Sequence, residues 1–288
     1  RYLLINLPGL GMLTFQTSDL AKLALIMYLA RFLAKNQDEI RDFKKGFIRV
    51  IVPILIICGL ILPSNFSTAA MLFAGSLGLL YIGRASLAHI GALVGIGAIS
   101  FLMLVGVARY QPELLPRATT WYNRAMQHFD EDSEPVYQVN ISKMAIAGGG
   151  IIGKMPGNST QRNFLPHSYS DFVYAIIIEE YGLIGGAMVV FIFIILMFRS
   201  IKIARLCKKK FGSFLVIGIS FLMVFQALIN MGVAVNLLPV TGQPLPFISM
   251  GGTSFWFSCA GIGIILSVSR SIEEKQTAKN EKVTYATA

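Results

Sequence analysis

The chain has 288 residues, of which 55% are hydrophobic and only 14% charged, and its mean hydropathy is +0.64. A soluble domain carries nearer a quarter charged residues, so this balance excludes a soluble enzyme, a disulfide scaffold and a disordered chain. The formal charge of +10 raises the question of nucleic acid, but the basic residues are placed by membrane topology, and no nucleic-acid partner is expected.

Apolar runs long enough for a ~30 Å hydrocarbon core predict an all-α polytopic membrane protein with seven spans. They fall at about 12 to 34, 46 to 62, 66 to 83, 88 to 108, 172 to 198, 213 to 235 and 252 to 269. The short second and third are either two spans or one re-entrant hairpin around Pro63-Ser64-Asn65. Gly91 and Gly95 form a GxxxG pair of the kind that packs helices. The whole of 1–288 reads as one membrane domain, with a large external loop at 109–170, a cytoplasmic loop at 199–212 and a cytoplasmic tail at 270–288.

Orientation follows from the cations. Arg31, Lys35, Arg41, Lys44, Lys45 and Arg49 lie in one connection, Arg84 in another, Arg199 to Lys210 in a third, and Arg270, Lys275, Lys279 and Lys282 in the tail. With alternating spans all four groups share one side, which the positive-inside rule makes cytoplasmic. Residue 1 is then external, which leads to the expectation that an odd number of helices precedes Arg1. Cys58, Cys207 and Cys259 form no redox or zinc motif, and no secretory signal is visible.

Within the external loop, Leu114 to Phe129 has the aromatic and basic composition of a helix lying at headgroup level, and Asp130 to Glu134 reads as a solvated turn. Gly148 to Gly157 is glycine-rich, a composition that lets backbone amides approach an anion. Asn158, Ser159, Arg162, His167 and Ser170, interleaved with Phe164 and Tyr169, suit hydrogen bonding and stacking on sugars.

Charge at membrane depth adds candidates. Asp19 and Lys22 share a helix face at i, i+3 and are read either as an ion pair fixing helix packing or as a cationic site for an anionic substrate. Asp171, just before an apolar run, reads on sequence alone as a helix N-cap. Glu179 lies eight residues further on, roughly 12 Å along a helix, too far for a two-carboxylate glycosidase. Pro239 to Thr253 holds three prolines and three glycines, and such broken backbone at membrane depth must line a cavity or be buried in protein.

Leu238-Pro-Val-Thr-Gly-Gln-Pro-Leu-Pro-Phe-Ile-Ser-Met-Gly-Gly-Thr-Ser254 resembles the C-terminal signature of the SEDS family. Phe15-Gln-Thr-Ser-Asp-Leu-Ala-Lys22 resembles its fourth-helix motif, with Thr17 and Asp19 in place of the usual Pro and Glu. Pro63-Ser-Asn-Phe-Ser-Thr68 stands where the family commonly has Gln-Pro-Asp-Leu-Gly-Thr, which puts any role of that Asp in question. Gly157-Asn-Ser, Phe164-Leu-Pro and Tyr169-Ser-Asp-Phe are more similar to the cell-division branch, FtsW, than to the elongation branch, RodA, and the sporulation branch is close to the former.

The resemblance implies about ten helices, three of them upstream of Arg1, and a fragment inactive without them. It implies a glycosyltransferase that polymerises lipid II outside the cytoplasmic membrane for the septal wall, with Asp171 as general base. Lys22, Asp19, Asn158, Ser159, Arg162, His167, Ser170, Glu179, Ser249, Gly251 and Gly252 are the expected substrate-binding set. Expected partners are lipid II, membrane lipids, a class B penicillin-binding protein and other division proteins. A divalent cation, magnesium or manganese, is the one cofactor expected, with no organic group. A lipid II flippase using Asp19 and Lys22, and a non-catalytic division scaffold, are the competing readings.

Overall fold

A computed structural model describes residues 3–7, 11–110, 137–165, 169–250 and 252–287. The described residues are mostly helical, with turns, irregular connections and one antiparallel hairpin of β1 (Leu3–Leu7) and β2 (Gly11–Phe15), in which Leu3 lies opposite Phe15 and Leu7 opposite Gly11. The first predicted span therefore begins later than residue 12, because the backbone stays extended through Gln16.

Helices occupy all seven predicted places: α1 (Thr17–Asn36), α2 (Ile48–Ile61), α3 (Phe66–Ile82), α4 (Leu87–Tyr110), α6 (Val173–Leu206), α7 (Lys210–Ala234) and α8 (Gly252–Thr287). Among the described residues three, Val173–Leu206, Lys210–Ala234 and Gly252–Glu274, are long and apolar enough to cross a membrane by length and composition. Helix α1 carries Asp19, Lys22, Arg31 and Lys35, and α2 has only 14 residues, about 21 Å of rise, so neither matches that pattern. A π-helical turn, Phe43–Phe47, leads into α2 and is capped by Asp42, whose side chain accepts from the Lys44 and Lys45 amides. Those two backbone donors, Lys45 first, hold the Asp42 carboxyl below its ordinary value.

Helix boundaries exceed the apolar runs. The expected cytoplasmic loop at 199–212 shrinks to Cys207–Lys209, because α6 continues through Arg199, Lys202 and Arg205 and α7 starts at Lys210. Lys and Arg are good helix formers, so a helix does not stop where the membrane does. The expected external loop contains α5 (Tyr137–Gly149), whose Val139, Ile141, Ser142 and Ala145 are buried. The headgroup helix proposed at 114–129 and the acidic turn at 130–134 lie outside the described residues.

Helix α7 is the hub and packs on α1, α3, α5, α6 and α8. One core joins α1, α2, α3 and α7 through Leu25, Leu29, Leu33, Ile54, Leu72, Leu79 and Val216. A second, of Ala145, Tyr174, Ile178, Ala227, Met231 and Leu245, ties α5 and α6 to α7. A third, smaller core puts Phe172, 1% exposed, between Ile141, Leu165 and Val233. The GxxxG pair does not pack as predicted: a Cβ at Gly91 or Gly95 meets nothing within 4 Å among the described residues.

Candidate active site

Asp171 sits where the external loop enters α6, partly exposed, beside the fully buried Phe172. The N-cap position falls on Phe172, one residue beyond the aspartate, so the capping role read from sequence is not the one the helix start assigns to Asp171. Its backbone is instead fixed from outside. The Tyr169 carbonyl accepts from the Met250 amide at 2.8 Å, the Ser170 carbonyl from the Ser249 hydroxyl, and the Asp171 carbonyl from Asn230 Nδ2 at 2.9 Å.

Two of those donors come from the Pro/Gly segment between α7 and α8, which is irregular as predicted. Ser249 Oγ also accepts from the Leu245 amide at 2.7 Å, closing a turn that points the hydroxyl at the loop. Gly242 has φ +63°, and a Cβ there would lie 3.4 Å from Asp171 Oδ2. Glycine is thus favoured by the left-handed backbone, and the segment passes within van der Waals contact of the carboxylate.

Behind the segment runs a polar network through the apolar bundle. Lys22 Nζ pairs with Asp19 Oδ1 at 2.6 Å and donates to Gln226 Oε1 at 3.2 Å. Gln226 Nε2 donates to the Pro244 carbonyl at 2.8 Å, and Asn230 Nδ2 to the Gln243 carbonyl at 2.7 Å. Gln226 and Asn230, one turn apart on α7, therefore satisfy the carbonyls of a segment that proline has left without helical partners. Gln243 Nε2 reaches Thr68 Oγ1 at 2.7 Å, and Asn65 caps α3 by accepting from the Thr68 amide. The Asn that replaces an Asp in that motif keeps the capping function, since either side chain supplies the acceptor.

The Asp19–Lys22 pair borders a cavity of about 60 Å³ lined also by Gln226, Ser254 and Ser258. That volume holds a few waters. Asp19 Oδ2 is buried without a hydrogen-bond partner among the described residues, and Asp19 and Lys22 are 4% and 7% exposed. The cation is neutralised by its own neighbour.

The glycine-rich stretch is built differently from an anion nest. Helix α6 breaks at Gly182, with φ +71° and ψ −173°, freeing carbonyls one turn earlier. The Glu179 and Glu180 carbonyls accept from the Lys154 and Met155 amides, while the Leu183 and Ile184 amides donate to Gly150 and Ile151. A Cβ at Gly182 would lie 2.1 Å from the Ile151 carbonyl oxygen, so the break admits the loop only because glycine stands there. Lys154, Met155 and Gly153 thus spend their amide groups on protein carbonyls.

Glu179, fully buried, locks the other end of the same loop. Its carboxylate accepts from Lys154 Nζ at 2.7 Å, the Thr160 amide at 3.1 Å, Thr160 Oγ1 at 2.9 Å, the Gln161 amide at 3.3 Å, and Ser159 Oγ. Asn158 Nδ2 donates to the Lys154 carbonyl at 3.1 Å. Arg162, exposed, lies over the Tyr169 ring at 4.9 Å and donates from Nε to its hydroxyl at 3.1 Å.

Of the residues singled out in the sequence, Asp171, Ser170, Ser249 and Arg162 thus gather around the loop's entry to α6. Asp19 and Lys22 connect to them through Gln226 and Asn230, and Glu179, Ser159 and Asn158 belong to the latch. Gly252 opens α8, whereas His167 and Gly251 lie outside the described residues. Gln226, Asn230 and Gln243 were missed. Two amides one turn apart within the apolar run 213–235 were the available signal, because polar groups at membrane depth need partners. Among the described residues no three His, Cys, Asp or Glu come together as a metal cluster. Asp171 is a single carboxylate, so magnesium or manganese would have to complete its coordination there with oxygens of a bound ligand.

Residues 8–274 match the cell cycle protein family of FtsW, RodA and SpoVE. The chain belongs to this family. Stage V sporulation protein E of Bacillus subtilis is 33% identical over 268 residues, covering 91% of this chain and 70% of that protein. The probable peptidoglycan glycosyltransferase FtsW of Shewanella sediminis is 33% identical over 282 residues, covering 96% and 67%, and that of Haemophilus influenzae 34% over 265, covering 90% and 66%. The chain spans about two thirds of the length of these FtsW/RodA/SpoVE relatives. A solved peptidoglycan synthase complex, described as coordinating polymerization and crosslinking, aligns with a TM-score of 0.71 at 25% identity, covering 94% of this chain and 73% of that one. RodA of Thermus thermophilus aligns at 0.60 and 24%, covering 93% and 68%, and bears on the fold alone.

Proposed function

We propose that this chain is the membrane domain of a peptidoglycan glycosyltransferase of the division branch, polymerising lipid II at the outer face of the cytoplasmic membrane. The observation that carries this reading is the fixation of Asp171 through three successive backbone carbonyls, which holds the aspartate in one place where the external loop enters α6. The FtsW relatives named as probable peptidoglycan glycosyltransferases support it.

The acceptor's GlcNAc 4-hydroxyl attacks C1 of the lipid-linked MurNAc, and the Asp171 carboxylate takes the hydroxyl proton. The C1–oxygen bond to the lipid pyrophosphate breaks, and displacement at an α-linked C1 gives a β-linked product. Pyrophosphate leaves as a stable anion, so the site needs positive charge and no acid partner for Asp171. Arg162 suits that task better than Lys22, because Lys22 is buried against Asp19 whereas Arg162 is exposed and oriented by Tyr169. A divalent cation, when bound with substrate, supplies further charge for the pyrophosphate. A polymerase of this kind works beside an enzyme that crosslinks its product, here a class B penicillin-binding protein.

The test is to supply lipid II to the whole protein in vesicles and follow both polymer and translocation. Polymer on the side of the Asp171 loop is expected, and translocation with no polymer would overturn the assignment.

A further inference from the structure

A second pocket lies at the other end of α1, remote from Asp171. It has a volume of about 400 Å³ and is lined by Arg31, Lys35 and Arg49 with Tyr28, Phe32 and Glu39. Tyr28, Arg31 and Lys35 recur at i, i+3 and i+7 and so share one face of α1, while Arg49 comes from the first turn of α2. All three cations are exposed, and none is within ion-pair distance of a carboxylate among the described residues, although Glu39 borders the same space.

The positive-inside rule explains why cations lie on this side, but not why three converge unpaired on one concavity with aromatic walls. Lys35 is 18 residues into α1, roughly 27 Å of rise, so if the helix begins near the opposite interface the pocket's cations reach the far edge of a ~30 Å hydrocarbon core, Arg31 by way of its long side chain. Below Arg49 on the same face of α2, Val52 and Ile56 are exposed, as Met27 is on α1, so an apolar track leads from the pocket toward the bilayer centre.

We propose that this pocket binds the phosphodiester headgroup of an anionic lipid, with the guanidinium groups of Arg31 and Arg49 and the Lys35 ammonium on the phosphate, the rings of Tyr28 and Phe32 against the glycerol, and an acyl chain along Val52 and Ile56. Arginine forks and ammonium groups are suited to phosphate oxygens, and basic pockets between helices on the cytoplasmic side are where such headgroups lodge. The volume suits a headgroup with its first acyl carbons. The apolar track distinguishes a lipid from free phosphate.

Native mass spectrometry of the whole protein, titrated with phosphatidylglycerol or phosphatidylcholine, tests this. One phosphatidylglycerol is expected to be retained where phosphatidylcholine is not, with affinity falling about fivefold for each cation neutralised and about a hundredfold in Arg31→Gln/Lys35→Gln/Arg49→Gln. Lys208→Gln/Lys209→Gln/Lys210→Gln, which removes equal charge from the connection into α7 on the same side, should leave retention unchanged. Equal loss in that control would reduce the effect to general surface charge and overturn the site. Displacement of the lipid by inorganic phosphate at equal concentration would overturn the lipid assignment. Single variants, read by the same titration, keep the test valid where the triple variant does not fold.

Discussion

Three neighbouring carbonyls with three separate donors leave the Asp171 segment little freedom to move, which matters because a general base must meet its proton within hydrogen-bond reach. Asn230→Ala takes the shared donor from the Asp171 and Gln243 carbonyls, and a buried unpaired carbonyl costs about 1–3 kcal/mol. Thermal unfolding should show that loss, and polymer synthesis should fall by more than the folded fraction does. Gly242→Ala is expected to reduce turnover, because alanine is strained at this left-handed φ and its relief shifts the segment that contacts Asp171; unchanged turnover would detach Gly242 from the site. Arg162 and Lys22 separate by the kind of defect. Arg162→Gln should lower polymerisation with folding intact, whereas Lys22→Gln leaves Asp19 buried without its cation and should lower melting temperature first, since breaking such a pair costs about 3–5 kcal/mol.

Among the elements, the joint between α5 and α6 is the one most open to test. The Gly182 break and the Glu179 carboxylate hold opposite ends of the 150–161 loop, so either lesion should release it. Gly182→Ala clashes with the Ile151 carbonyl and meets a left-handed φ, and Lys154→Met takes the cation from a fully buried carboxylate. Both are expected to raise protease cleavage between α5 and α6 and to lower the melting temperature, while Glu179→Gln, which removes the charge together with the need for a cation, should be milder. Equal protease resistance in all three would show that the latch does not hold the loop. Sequence made the helices legible because apolar runs repeat what a bilayer demands. It did not reveal α5, whose buried stripe of Val139, Ser142 and Ala145 is short and broken by polar residues. Sequence set Glu179 about 12 Å along the helix from Asp171 and expected it to bind substrate, and only the fold shows it facing the latch while Asp171 faces the Pro/Gly segment.

At the scale of the whole molecule, the proposed function requires the basic connections and the Asp171 loop to lie on opposite faces of the membrane. Cysteines placed at Asn158 and Lys209, in a background with Cys58, Cys207 and Cys259 replaced, give opposite expectations with an impermeant thiol reagent. Asn158→Cys should label on intact cells, and Lys209→Cys only after the membrane is opened; labelling of both on intact cells would contradict the orientation. The Pro/Gly segment could be read as irregular from composition, because broken backbone at membrane depth has few places to lie. What it would contact could not, because Gln226, Asn230 and Thr68 reach it from 13 to 175 residues away in the chain.

The most direct test of the central claim is glycan formation from purified lipid II by the whole protein with its crosslinking partner, comparing wild type with Asp171→Asn at matched folded concentration. Loss of a general base is expected to slow polymerisation by about 10²–10⁴-fold while substrate binding and melting temperature persist. Polymer from the Asn variant at the wild-type rate would contradict Asp171 as the base.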